Sequence, residues 1–138
     1  MTVKELQKEL ADAINGVEEL VQRGCKAFAE DTRDIYKESD KWVSAGKTAI
    51  VVVTPERRRN GGAPGAPVAE TTVKIQCSER PALARTRQDS ITALDAGEAV
   101  MLALDGPRFC WLSSSQTLDR ATGTLTDTET FATSFIAG

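Results

Sequence analysis

Apolar residues recur at helical spacing from the N-terminus onward: Val3, Leu6, Leu10, Ala13, Ile14, Val17, Leu20 and Val21 fall on one stripe. Thr2 and Glu5 stand in capping-box relation ahead of it, and Gly24 sits where a left-handed stop is wanted. This predicts a helix over about 3–22, weakened at Gly16 by roughly 1 kcal/mol relative to Ala. Cys25 to Asp31 is short and bounded and predicts a strand. Thr32 then reads as an N-cap with Asp34 in the first turn, and Ile35, Ser39, Trp42 and Val43 share one face of a second helix ending near Ala45-Gly46. Thr48-Ala-Ile-Val-Val-Val-Thr54 is apolar without alternation, the mark of a central strand covered on both faces.

Pro55 is expected to stop that strand. Residues 56–69, rich in Gly and Pro, read as a flexible loop joining two adjacent antiparallel strands. The second, Glu70 to Cys77, sets Val73, Ile75 and Cys77 on one face. An ordered loop, Ser78 to Ala84, and a basic turn lead to a third helix over 92–104, closed by Gly106-Pro107. Phe109 to Leu112 predicts a strand and Ser113-Ser-Ser a turn. Thr122 to Thr128 predicts an irregular strand or loop. Glu129 to Ile136 closes the chain as a strand with Phe131, Thr133 and Phe135 aligned. The fold class is α+β: one domain over 1–138, a mainly antiparallel sheet with three helices packed on it, and no internal repeat.

Composition narrows the function. The 138 residues are 41% hydrophobic but only 5% aromatic. The core therefore rests on Val, Ile, Leu and Ala, and gains from burial against neighbouring copies. A net charge of -3 disfavours nucleic acid as the main partner. No apolar stretch has the length of a membrane span, and no signal peptide opens the chain, so synthesis in a cytoplasm is expected. Cys25, Cys77 and Cys110 are too widely spaced for a CxxC pair and read as buried free thiols.

Candidate chemistry is sparse. Ser44-Ala-Gly-Lys-Thr48 holds the Gly-Lys-Thr of a phosphate loop, but Lys41 stands where the motif needs Gly, and the order is helix, turn, strand. The absence of His removes the usual general base. Asp31, Asp34, Glu70 and Glu79 are carboxylates without motif spacing, and Glu70-x-x-x-Lys74 only gestures at a metal-dependent nuclease. No catalytic, cofactor or metal residue is assigned. What remains is contact surface: Arg57, Arg58 and Arg59 on the loop, and the opposite charges of Glu79-Arg80-Pro81, Arg85 and Arg87, suited to setting register between subunits.

The helix-strand-helix opening, Ala49-Ile-Val-Val-Val-Thr-Pro55, the Gly/Pro-rich insertion, Val73-Lys-Ile-Gln-Cys-Ser-Glu-Arg-Pro81 and Thr92-Ala-Leu-Asp-Ala-Gly-Glu-Ala99 together resemble the tail-terminator (tail-completion, head-tail joining) proteins of tailed bacteriophages. The likeness covers about residues 1–104 in layout. Its loop before the third helix, 85–90, lacks Gly, and its last third matches only in strand character. The resemblance implies a non-enzymatic virion protein of the tail or neck, a homo-oligomeric ring, commonly a hexamer. Such a ring stops growth of the tail tube and meets the head connector, and DNA only passes through its channel. Tail-tube protein is the implied partner, with sheath protein a further candidate. The competing expectations are another neck or connector protein, or a metal-dependent hydrolase or nuclease.

Overall fold

The computed structural model describes residues 1–29, 34–84 and 89–137. Among them the elements run α1 (Val3–Asn15), α2 (Glu18–Gln22), β1 (Cys25–Ala29), α3 (Ile35–Ser44), β2 (Thr48–Ala63) and β3 (Ala66–Glu79). The chain continues through α4 (Pro81–Ala84), α5 (Ala93–Leu104), β4 (Cys110–Asp119) and β5 (Thr124–Ile136). The architecture is α+β, as expected, with two corrections. The described residues hold five helices where three were expected, and the five-stranded sheet, ordered β1-β2-β3-β5-β4, is mixed: β1 pairs with β2 in parallel, and the other three pairings are antiparallel. The parallel pair follows from the intervening helix, because a crossover through α3 brings the chain back in the same direction.

The first helix forms for the reasons its sequence states. Thr2 Oγ1 accepts from the Glu5 amide at 3.2 Å, and Glu5 Oε2 accepts from the Thr2 amide at 3.4 Å. It does not run to residue 22, however. It ends at Asn15, Val17 is extended, and a short second helix follows. Gly24 has φ 80, the left-handed stop expected of it. The strand expected over 25–31 is present as β1; the Thr32 cap and Asp31 lie outside the described residues.

Because alternate strand residues face opposite ways, the sheet has two distinct faces. Ile50 and Val52 of β2, Val73, Ile75 and Cys77 of β3, and Phe131 of β5 are buried with Leu6, Leu10 and Ile14 of α1 and Ala93, Ala96 and Val100 of α5. On the opposite face Phe28 and Ala49 pack with Ile35 and Val43 of α3. The first half of β2 is thus covered on both sides, as its uninterrupted apolar run predicts. Over β3 and β5 that second face presents Lys74, Gln76, Ser78, Thr126, Thr128 and Thr130, all half-buried. Cys25 and Cys77 are buried and burial pushes the Cys25 thiol up to about 12, whereas Cys110 is exposed, contrary to expectation.

Pro55 does not stop β2, and residues 56–69 are not a loop. Both strands continue, with Glu56 to Arg59 paired to Thr72 to Ala69, to a turn at Pro64-Gly65. A register shift between Val53 and Glu56 absorbs Pro55, just past the point where β1 stops pairing at Val52. No ladder bond is lost there, because proline is tolerated at bulges and free edges. The result is a two-stranded arm whose residues 55–66 are all exposed. The turn expected at Ser113-Ser-Ser is strand in β4, and of the stretch 122–128, Thr122 and Gly123 lie in the turn between β4 and β5 while 124–128 are regular strand in β5.

Candidate functional site

The two outer edges of the sheet are built differently. On β1, Asn15 closes α1 and turns its amide onto the strand: Nδ2 donates to the Ala27 carbonyl at 3.1 Å, and Oδ1 accepts the Ala27 amide at 2.8 Å. A side chain thus occupies the backbone pair a further strand would use. On β4, Asp105 Oδ1 takes the Trp111 amide at 3.0 Å, but from Leu112 to Leu118 no side chain among the described residues bonds to the strand's backbone. That stretch carries no Lys, Arg or Pro, is exposed throughout, and includes Leu112 and Leu118 at 53% and 56% exposure. It lacks the usual protections of a free edge. The arm's own edge, by contrast, is guarded by Pro55 and three arginines.

The predicted contact residues separate into two groups. Arg57, Arg58 and Arg59 are exposed on the arm. Arg58 pairs with Glu70 at 2.8 Å, and Arg59 donates to the carbonyls of Gly62 and Ala63 at 3.4 and 3.3 Å. Arg57 has no such partner among the described residues. By register Arg57 and Arg59 lie opposite Thr71 and Ala69, on the core side of the arm, with Arg58 on the other.

The elbow instead ties the chain to itself. Glu79 is only 4% exposed; burial raises its carboxyl above the ordinary value, and the backbone N–H of Ala93, the first residue of α5, partly offsets it. Arg80 reaches two elements, donating to Asp40 Oδ1 at 2.9 Å and Ser44 Oγ at 3.1 Å on α3 and to Thr124 Oγ1 at 3.4 Å on β5. Pro81 opens α4, and Arg85 and Arg87 lie outside the described residues. Of the scattered acids, Asp34 is exposed ahead of α3 and Glu70 is the partner of Arg58, so Asp34, Glu70 and Glu79 do not converge. Among the described residues no group of three or more His, Cys, Asp or Glu could hold a metal ion, and no helix is long and apolar enough to cross a membrane.

A carboxylate pair that the sequence reading missed lies where α5 crosses the sheet. Asp127 and Glu129, alternate residues of β5, point to the core side and are 1% and 2% exposed. Gln116 Nε2 donates to Asp127 Oδ1 at 3.4 Å, and Ser114 Oγ donates to Glu129 Oε1 at 2.6 Å. Among the described residues Asp127 Oδ2 and Glu129 Oε2 have no hydrogen-bond partner, nor does the indole N–H of Trp111 in regular geometry. Burial raises both carboxyls; the adjacent Glu129 carboxyl and Gln116 partly offset this for Asp127, while Ser114 lowers Glu129 and the charge of Asp127 raises it further. Gly97 makes the close approach possible, since a Cβ there would stand 1.7 Å from Asp127 Oδ2.

The pair lines a cleft of about 240 Å³ between α5 and the β4–β5 strands, walled by Leu94, Met101 and Trp111, with Glu98 at its rim. A larger cleft of about 530 Å³ lies between α3 and the open sheet face, but the Arg80–Asp40 pair at its wall is already satisfied. A single alternation of acids in register with Phe131, Thr133 and Phe135 was the available signal for the buried pair. No protein-family model matches this chain, and comparison with curated proteins finds no match either.

Proposed function

We propose that this chain is a structural assembly protein that closes into a homo-oligomeric ring, acting as a phage tail terminator that caps the tail tube and joins it to the head connector. The observation that supports it is the unequal treatment of the sheet edges: Asn15 plugs β1, whereas β4 is unguarded along Leu112 to Leu118. A sheet blocked at one edge cannot extend indefinitely by β1-to-β4 pairing. A contact between two different surfaces, one near β4 and one on the arm, closes into a ring when its rotation closes. The arm, exposed along residues 55–66, is the natural reach of one subunit towards the next.

In this reading the function is geometric. The body sets the rotation per subunit, and the arginines of the arm set register with a neighbour. Incubation with growing tail tubes tests the role: added protein should fix tube length and remain bound at one end. Binding to connector rings with no effect on tubes would move the chain to another neck position.

A second reading, an acid-dependent hydrolase, draws support from the buried Asp127–Glu129 pair, since perturbed carboxyls in a cleft are a recurring feature of active sites. Ester or phosphodiester cleavage abolished by Asp127→Asn would replace the ring reading.

A further inference from the structure

We infer that the cleft between α5 and β4–β5 receives an arginine from the arm of a second copy, with Arg57 the residue that enters it and the Asp127–Glu129 pair its counter-charge. This contact rests on the ring reading and names the two surfaces that reading requires. Two independent features of the chain meet in it.

The first is the cleft. Two acids 1% and 2% exposed each keep an oxygen without a hydrogen-bond partner among the described residues, in a space lined by Leu94, Met101 and Trp111. Burial disfavours the charged form of both acids, and a planar guanidinium that bridges them restores that charge while its stem lies on apolar walls. An aromatic ring beside the acids suits the face of the same group. Glu98, exposed at the rim, extends the negative charge towards solvent.

The second is the arm. Of its three arginines, Arg58 is paired with Glu70 and Arg59 with two carbonyls of the turn, which leaves Arg57 without a partner among the described residues, on an exposed strand. Arg57 and Arg59 lie on the same face of the arm, so a neighbour that engages one has the other beside it. A strand that places Arg57 over the cleft also lies next to the unguarded edge of β4, so charge pairing and edge pairing reinforce each other. The chain therefore carries both halves of a contact on different surfaces, as a head-to-tail interface requires.

The test is a double-mutant cycle on self-association, followed by sedimentation equilibrium. Arg57→Gln and the isosteric pair Asp127→Asn with Glu129→Gln should each weaken association at least about tenfold, and the combination should add little to either, because both remove one interaction. Arg57 stands on an exposed arm, so its substitution leaves the folded body in place and reports on the contact alone. A second measurement uses a Cys110→Ser background, mixing copies that carry Arg59→Cys with copies that carry Glu98→Cys; a short bifunctional thiol reagent should link the two kinds of copy. Wild-type rings that are unchanged by Arg57→Gln, or a cross-link that fails to form between copies, would overturn the contact and leave the ring standing. Wild-type protein that is monomeric throughout would overturn both.

Discussion

Asp127 occupies the space that a side chain at Gly97 would need: a Cβ there would meet Oδ2 at 1.7 Å and Cγ at 2.6 Å. The helix and the strand approach this closely only because position 97 is glycine. Gly97→Ala gains up to about 1 kcal/mol in helix propensity. It must also push Asp127 away from Glu129 and Gln116, an overpacking that costs about 1–3 kcal/mol. Net destabilisation of about 1–2 kcal/mol is expected, read as a lower denaturation midpoint at unchanged m-value. A neutral or stabilised variant would show that the contact is looser than described.

The acid pair gives stability a pH dependence of definite sign. Both carboxyls are raised in the folded state by burial, as is Glu79 nearby, so the folded chain holds protons that the unfolded chain releases. Their contribution is complete below the ordinary carboxylate range and is lost as pH rises through the raised folded values. Denaturation midpoints measured from about pH 5 to about pH 8 should therefore fall as pH rises. Asp127→Asn with Glu129→Gln should flatten the slope, leaving the part due to Glu79.

Much of the fold was legible in the sequence because the core face obeys simple periods. The capping box at Thr2 and Glu5, the Val51-Val-Val run and the alternation of Val73, Ile75 and Cys77 each place their elements correctly. Three features were not. Pro55 reads as a stop, yet it lies at a register shift on a free edge, where its missing N–H has no consequence. Ser113 to Ser115 carry no strand signal of their own and are held by pairing with Thr130, Glu129 and Thr128. The candidate site was hidden most thoroughly, because Asp127 and Glu129 sit among threonines that read as surface. Their burial depends on Gly97, more than twenty residues earlier in the chain, and no local pattern connects the two.

Asn15 should protect as well as stabilise. Asn15→Ala leaves the Ala27 amide and carbonyl to solvent or to another strand. A loss of about 1 kcal/mol is expected. Self-association through β1 is expected too, detectable as concentration-dependent species larger than those of the wild type. An equally stable variant with unchanged assembly would remove Asn15 from the account.

Arg80 fastens α3 and the start of β5 to the end of β3. Its pair with Asp40 is partly exposed, at 26% and 65% for the two side chains, so solvent screening limits its worth. Arg80→Ala should cost about 1 kcal/mol in denaturation experiments, with the hydroxyl contacts included. Arg80→Lys should recover only part of that, since an ammonium cannot reach three acceptors in a fixed fork. If Arg80→Ala folds as stably as wild type yet fails to assemble, Arg80 belongs to a subunit contact instead.

The ring is tested most directly by native mass spectrometry at micromolar concentration, on wild type and on a variant with Ser115→Lys and Thr117→Lys along the β4 edge. A single closed species of fixed copy number, with six copies expected from the resemblance, is predicted for wild type. The variant should shift to monomer with its fold intact, because lysines guard an open edge. A wild type that stays monomeric at every concentration, alone and with tail tubes, would contradict the account.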